Sequence, residues 1–165
     1  MSFFELLWAY ALVFLLSAIP FFEAYATIPL GIIAGLSVIP ALVIGLAGNI
    51  LTVILLIIFI NKIKDWRKKR KNETEENQPS KRSLRAQKLW KKYGLPGLAM
   101  IGPLFVGSHL TAFMSVTLGG TKKRTVYWMI TSITIWSLLF SILAHFGIDL
   151  FGDRDHSFLE DFMNR

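Results

Sequence analysis

The chain has no cysteine, and no lysine or arginine before Lys62. Without thiols, disulfides, thiolate metal sites and cysteine nucleophiles are excluded. Between Met1 and Asn61 the only charged side chains are Glu5 and Glu23, whereas about a quarter of the positions in a soluble domain carry charge. That third of the chain belongs in lipid. A cleaved signal peptide is not expected, because the N-terminus lacks a positive region and the apolar run continues past any signal-sized core. Also missing are HExxH, GxSxG, a Gly-Lys-Ser/Thr phosphate loop and any closely spaced pair of carboxylates within the apolar blocks. ATP hydrolysis and intramembrane proteolysis therefore lack the groups they require, and the expectation is a protein that is not an enzyme and uses no metal or cofactor.

What the chain does have is charge in one place. Thirteen of its 18 Lys and Arg lie between Lys62 and Lys92. A basic stretch directly after a long apolar segment is what the Lys/Arg bias expects of a cytoplasmic loop, so residues 62–92 read as a linker on the inside. The same location argues against nucleic acid as the partner of the net charge of +7. The linker's centre, Asn72 to Ser83, is too polar to fold alone. Its flanks, Lys62 to Lys71 and Leu84 to Lys92, read as basic helices that favour anionic lipid headgroups.

Four apolar blocks flank this linker, two on each side. Residues 40–61 and 125–146 read as intact spanning helices, since about 20 residues at ~1.5 Å each cross ~30 Å of hydrocarbon. The other two blocks are interrupted. If residues 96–118 crossed the membrane, Lys122, Lys123 and Arg124 would emerge outside and the acidic tail, residues 148–165, would end inside. A re-entrant hairpin removes both conflicts with the Lys/Arg bias and leaves the tail extracytoplasmic. Counted backward from Asn61 on the inside, Pro40 lies outside, and residues 20–37 read as a re-entrant hairpin from the outer face, with residues 3–19 spanning or lying in the interface. The fold class expected is thus an all-α integral membrane protein of two inverted hairpin-plus-helix halves, residues 1–61 and 93–147. Interrupted segments in corresponding positions of two halves point to an inverted-repeat transporter with a midplane site. Pro29, Gly31, Pro103 and Gly107 are the expected breaks in the hairpins; ordinary kinks in spanning helices are the plainer reading.

The candidate site residues follow. Glu23 stands alone in AIPFFEAYATIPLGIIAGL, and an ionisable group inside a membrane segment marks an ion or substrate pathway by default. A plainer reading puts it at headgroup level, facing water. His109, flanked by Ser108 and Thr111, is its counterpart in the second hairpin, able to relay protons, or else an ordinary hydrogen-bonded structural residue. Asn49, in Gly45-Leu46-Ala47-Gly48-Asn49, is placed to bond across helices that small residues let approach, either in packing or in contact with substrate. Trp128 and Trp136 are candidates for an aromatic wall or interfacial anchors. Phe158, Leu159, Phe162 and Met163 share one helical face and predict an amphipathic tail on the outer leaflet.

The stretches EAYATIPLGIIAGL, ALVIGLAGN, KKYGLPGLAMIGPLFVGSHLTAFMSVTLGG and ITSITIWSLL resemble the small multi-drug export family of integral membrane proteins over roughly residues 18–146, and more distantly the DedA-type family. The first resemblance implies export of a small molecule. The second implies re-entrant hairpins and the movement of polyprenyl-phosphate or other lipids. Many relatives carry Arg two residues after the first-hairpin Glu, where this chain has Tyr25, and DedA-type proteins have an Arg in the second hairpin, where this chain has none. The leading expectation is a small polytopic transporter, coupled to a proton or cation, for a small amphipathic molecule. Its expected partners are membrane lipids, that substrate, and further copies of itself, because four short blocks barely enclose a cavity. The alternatives are a lipid translocase or scramblase, and a non-transporting scaffold acting through its basic linker.

Overall fold

A computed structural model describes residues 3–20, 22–71 and 81–163. Six helices account for it: α1 (Phe3–Ala18), α2 (Ala24–Ile33), α3 (Val38–Lys71), α4 (Lys81–Val106), α5 (Ser108–Thr117) and α6 (Lys122–Met163). Among the described residues there is no strand. Of the expected linker centre, Asn72 to Ser83, residues 72–80 lie outside the described residues and residues 81–83 open α4; the side chains of Phe158, Leu159, Phe162 and Met163 also lie outside the described residues.

Two segments are long and apolar enough to cross a membrane: Val38–Lys62, 25 residues, and Lys122–Gly147, 26 residues. At a rise of about 1.5 Å per residue each exceeds the ~30 Å hydrocarbon layer. The polarity of the molecule agrees. Trp8, Leu12, Leu55, Ile58, Leu139, Ile142 and Phe146 are exposed, while Glu23, Asn49, Ser108, His109, Thr111, Ser132 and Ser137 are buried. So much exposed apolar surface, with polar side chains buried among the apolar core, is not what water selects.

The chain repeats a pattern. α2 and α5 each have 10 residues, and both end in the same glycine cap. In the first, Leu36 N donates to Gly31 O and Gly35 N to Ile32 O. In the second, Gly120 N donates to Ser115 O and Gly119 N to Val116 O. This double closure is the Schellman motif, whose C′ residue must adopt positive φ; Gly35 is at +92° and Gly119 at +116°. A long helix then starts three residues later, at Val38 and at Lys122. Helix start, cap and next helix are each displaced by 84 residues, 24 to 108, 35 to 119 and 38 to 122. The packing repeats as well: α2 lies on α6 of the other half, and α5 on α3.

Three expected breaks are not where the chain turns. Pro29 and Gly31 lie inside α2 and Pro103 inside α4. A proline within a helix forfeits one backbone bond and is tolerated when packing holds the helix; Ile28 and Ile32 beside Pro29 are buried, and Pro103 itself is buried. The turns fall at glycines: Gly35, Gly107 (φ +93°) and Gly94 (φ +65°). Within the expected hairpin of residues 20–37, α2 is therefore one short helix that ends at the Gly35 turn, and the helix before it, α1, supplies the neighbouring arm.

Gly94 divides α4 into two arms, 81–93 and 95–106, at ψ −159°. This backbone region is open essentially to glycine alone. The first arm folds back on the second and on α5: Ala86, Leu98, Val106 and Met114 share a buried cluster, and Ser83 Oγ lies 3.7 Å from Met114 Sδ. The flank from Leu84 to Lys92, expected as part of the linker, is thus packed into the second half.

In the first half, α1 crosses α3 at two glycines. A Cβ on Gly48 would stand 2.4 Å from Phe14 O, and one on Gly45 would overlap Ile28 and approach Ser17 Oγ. Small residues permit this closeness, and it sets α2 and α3 side by side with Glu23 level with Asn49.

Candidate functional site

The site is built at the point where the two ten-residue helices begin. Glu23 is the N-cap of α2: its carbonyl accepts from Ala26 N and Thr27 N at 2.9 and 3.0 Å. Its side chain does not cap its own helix. It crosses to the other half, where Oε1 accepts from Ser108 N at 2.7 Å. Ser108 is the first residue of α5, whose N-cap is Gly107 and therefore has no side chain to offer. Glu23 thus caps a helix 85 residues away in sequence. The positive end of α5, where unpaired N–H groups collect, favours a carboxylate there. Gly107 is needed for two reasons: its φ and ψ of 93° and 150° exclude side chains, and a Cβ would stand 3.1 Å from Glu23 Oε1.

The carboxylate is 3% exposed, and a buried charge demands partners. Asn49 Nδ2 donates to Oε2 at 3.3 Å. Asn49 Oδ1 in turn accepts from Ser108 Oγ at 3.1 Å, closing a ring of Glu23, Asn49 and Ser108 from α2, α3 and α5. His109 extends the ring. Its Nδ1 is 3.3 Å from Ser108 Oγ and 3.8 Å from Glu23 Oε1, and its Nε2 is 3.1 Å from Thr52 Oγ1.

Counting hydrogens assigns the roles. Asn49 presents Nδ2 to the carboxylate, so its oxygen faces Ser108, and the single hydroxyl proton of Ser108 goes to that oxygen. Ser108 Oγ then bonds to His109 Nδ1 only by accepting from it. Thr52 Oγ1 has one proton, within reach of the carbonyls of Gly48 and Asn49 at 3.1 and 3.0 Å; while it is used there, Nε2 bonds to Thr52 only by donating. With both ring nitrogens protonated His109 donates to both hydroxyls; a neutral imidazole keeps both contacts only if the Thr52 hydroxyl turns from the backbone carbonyls to the ring.

Glu23, Asn49, Ser108 and His109 are therefore brought together, and Thr111 is not. Thr111 is buried against Gly102, where a Cβ would stand 2.6 Å from its Oγ1, and its hydroxyl has no hydrogen-bond partner. Its place is the tight seam between α5 and the second arm of α4. Trp136 donates to Met100 O at 2.8 Å and lies against Phe140, which lies against Tyr25; Trp128 lies against Tyr127.

Three residues of this neighbourhood were not singled out from the sequence. Thr52 follows Asn49 by three positions and so shares its helix face, a signal available from spacing. Tyr25 donates its hydroxyl to Pro103 O at 2.8 Å and ties α2 to the second half. Arg82, from the basic region, reaches the site because α4 folds back at Gly94. Together with Glu23, Tyr25 and the run from Pro103 to Gly107, it lines a cavity of about 180 Å³. Among the described residues no cluster of His, Cys, Asp or Glu is placed to hold a metal ion.

No curated protein and no solved structure matches the chain significantly. The family model described as "Putative small multi-drug export protein" matches residues 23–139, well over half of the chain, beginning at Glu23 itself. With its long apolar helices, this is a membrane protein, and the chain belongs to that small multi-drug export family.

Proposed function

We propose that the protein is a proton-coupled transporter of a small molecule, and that Glu23 and His109 are its coupling site. The observation that carries the reading is the ring of hydrogen bonds in which a buried carboxylate from before α2 caps α5 and stands 3.8 Å from a buried histidine. The family's description as export proteins supports transport in general. A proton arriving at His109 makes it the donor to both Ser108 and Thr52, and its loss turns one ring nitrogen into an acceptor, so that the Thr52 hydroxyl must leave its backbone carbonyls to keep that contact. The packing of α5 on α2 and α3 is thereby tied to occupancy of the site, which is the two-state element that coupling requires.

In this reading α2 and α5, with the arms before them, are re-entrant segments entering from opposite faces, and α3 and α6 span the bilayer. The 84-residue displacement of equivalent elements and the exchanged packing, α2 on α6 and α5 on α3, support an inverted repeat. Helices that begin at the midplane direct their N-termini at the site, as in transporters built from broken helices. The basic linker is cytoplasmic, the C-terminal tail lies outside, and copies of the chain associate to complete the transport path.

The test is proton movement in proteoliposomes loaded with a pH dye, challenged with a panel of small amines, zwitterions and amphipathic cations. A panel member that evokes proton movement above empty liposomes supports the proposal, and silence across the panel overturns it. The topology is tested separately with single cysteines at Lys123 and Ser157, since the native chain has none. Position 123 is expected to label from the cytoplasmic side and 157 from the other; labelling of 123 from outside overturns the second re-entrant segment.

A further inference from the structure

We infer that the cavity beside Glu23 binds a small ammonium ion, singly charged and rich in N–H groups, either a free amine or the end of a lipid headgroup. This takes the site to be that of the transport reading above and names its ligand class, but binding itself can be measured whether or not anything is transported.

Glu23 supplies the negative charge. Its carboxylate is buried, lines the cavity and accepts two N–H bonds, from Ser108 and Asn49. A carboxylate has about four acceptor positions, so about two remain for a ligand.

The end of α4 supplies further acceptors. Its last turn, Pro103 to Val106, lines the same cavity. A helix leaves its final carbonyls without partners of its own and carries a partial negative charge at that end. Pro103 O is taken twice, by Gly107 N at 3.0 Å and by the Tyr25 hydroxyl at 2.8 Å. Leu104 O is not, because Ser108, the residue four places on, gives its N–H to Glu23 instead. Among the described residues no backbone N–H donates to the carbonyl of Leu104, Phe105 or Val106. The cap that closes the start of α5 therefore leaves the end of α4 open. A carboxylate and a helix C-terminus meet at one cavity, and helix ends of this kind serve cations in transporters built from broken helices.

These groups accept hydrogen bonds and do not donate them, so they call for a ligand made of donors. An ammonium brings N–H groups together with the charge that Glu23 lacks. The Tyr25 hydroxyl, also on the wall, has its proton committed to Pro103 O. Arg82 lines the cavity as well, but it is engaged by a partner of its own and makes none of the proposed contacts. Its positive charge weighs against a doubly charged ligand. At about 180 Å³ the cavity is smaller than the roughly 300–1,000 Å³ typical of sites for drug-sized ligands, which limits the ammonium to a few heavy atoms.

Radiolabelled methylammonium is bound to the full chain in phosphatidylglycerol nanodiscs, in amine-free buffer and against empty nanodiscs, and is displaced with unlabelled methylammonium, tetramethylammonium or sodium. Methylammonium is expected to displace the label at least tenfold more effectively than tetramethylammonium, which has the charge without an N–H, and than sodium, which has no hydrogen to donate. Glu23→Gln is expected to lose at least tenfold in affinity. Equal displacement by tetramethylammonium or sodium, no binding above empty nanodiscs, or unchanged affinity in Glu23→Gln overturns the inference. The comparison of probes uses the parent protein alone, so it decides the matter even where the variant fails to fold. Repeating the measurement in phosphatidylethanolamine nanodiscs identifies the source: weakened apparent affinity means the lipid headgroup competes for the site, and unchanged affinity means the free amine is the ligand. If binding fails while Glu23-dependent proton movement persists, this inference falls alone. If binding holds while nothing is transported, the transport reading falls and the site stands.

Discussion

Glu23 and Ser108 are joined by a 2.7 Å bond from a backbone N–H to a buried carboxylate, across 85 residues of sequence. The bond is a helix cap made in trans, and it can be removed without harming the helix. Ser108 is the first residue of α5, a position where proline is favoured because its N–H is not used within the helix. Ser108→Ala removes only the hydroxyl; Ser108→Pro also removes the N–H. The difference between the two variants isolates the cross-half bond, and about 1.5–3 kcal/mol is expected for a hydrogen bond to a charged group. Denaturant titration in mild detergent measures it, and equal stabilities would mean that the bond holds nothing together.

Gly107 and Gly35 give a matched comparison. Both have φ above +90°, but a Cβ on Gly107 meets Glu23 Oε1 at 3.1 Å, while one on Gly35 meets nothing within 4 Å. Alanine at either position incurs about 1–3 kcal/mol of backbone strain. Gly107→Ala additionally displaces the carboxylate. Thermal unfolding is expected to fall in both variants, and Glu23-dependent proton movement only in Gly107→Ala.

The crossing of α1 over α3 rests on Gly48. A Cβ there would lie 2.4 Å from the carbonyl oxygen of Phe14, a backbone atom that cannot swing aside. Gly48→Val is therefore expected to destabilise by about 1–3 kcal/mol, the usual range for overpacking, and to separate the two helices. Cross-linking between cysteines placed at Phe14 and Gly48's neighbour Ala47 reads the separation directly; undiminished cross-linking in the valine variant would contradict the packing.

Much of this arrangement was legible in the sequence, because it is written in charge and apolar runs. A lone carboxylate in an apolar block, a lone histidine in the other and an asparagine among glycines identified Glu23, His109, Asn49 and Ser108, which the structure brings into one network. The positions of the turns were less legible. Of the expected breaks, Gly107 does make a turn, yet Pro29, Gly31 and Pro103 remain helical because their neighbours are packed, and the positive-φ glycines Gly35 and Gly94 make the other turns. Arg82 was not legible as a site residue at all. Its approach to Glu23 depends on the reversal at Gly94, and no local pattern in a basic stretch tells which arginine such a reversal will carry inward. The resemblance drew attention to an arginine absent from the hairpins, but not to one arriving from the linker.

His109 separates titration from geometry. His109→Gln keeps a donor and an acceptor on a side chain of similar reach, without an ionisable group. The variant is expected to insert and to unfold within about 1 kcal/mol of the parent, as for substitutions that retain hydrogen-bonding capacity, yet to lose pH dependence of transport. A transport rate that keeps the parent's pH profile would remove His109 from the coupling site and leave it a structural residue.

The most direct measurement of the central claim is solute-evoked proton movement by Glu23→Gln in proteoliposomes, beside the parent protein at matched insertion. The glutamine keeps the size of the side chain and an oxygen for Ser108 N, so the fold is expected to hold while the charge is gone. The account predicts that proton movement falls at least tenfold, to near the level of empty liposomes. Proton movement of the parent's size and pH dependence in this variant would contradict it.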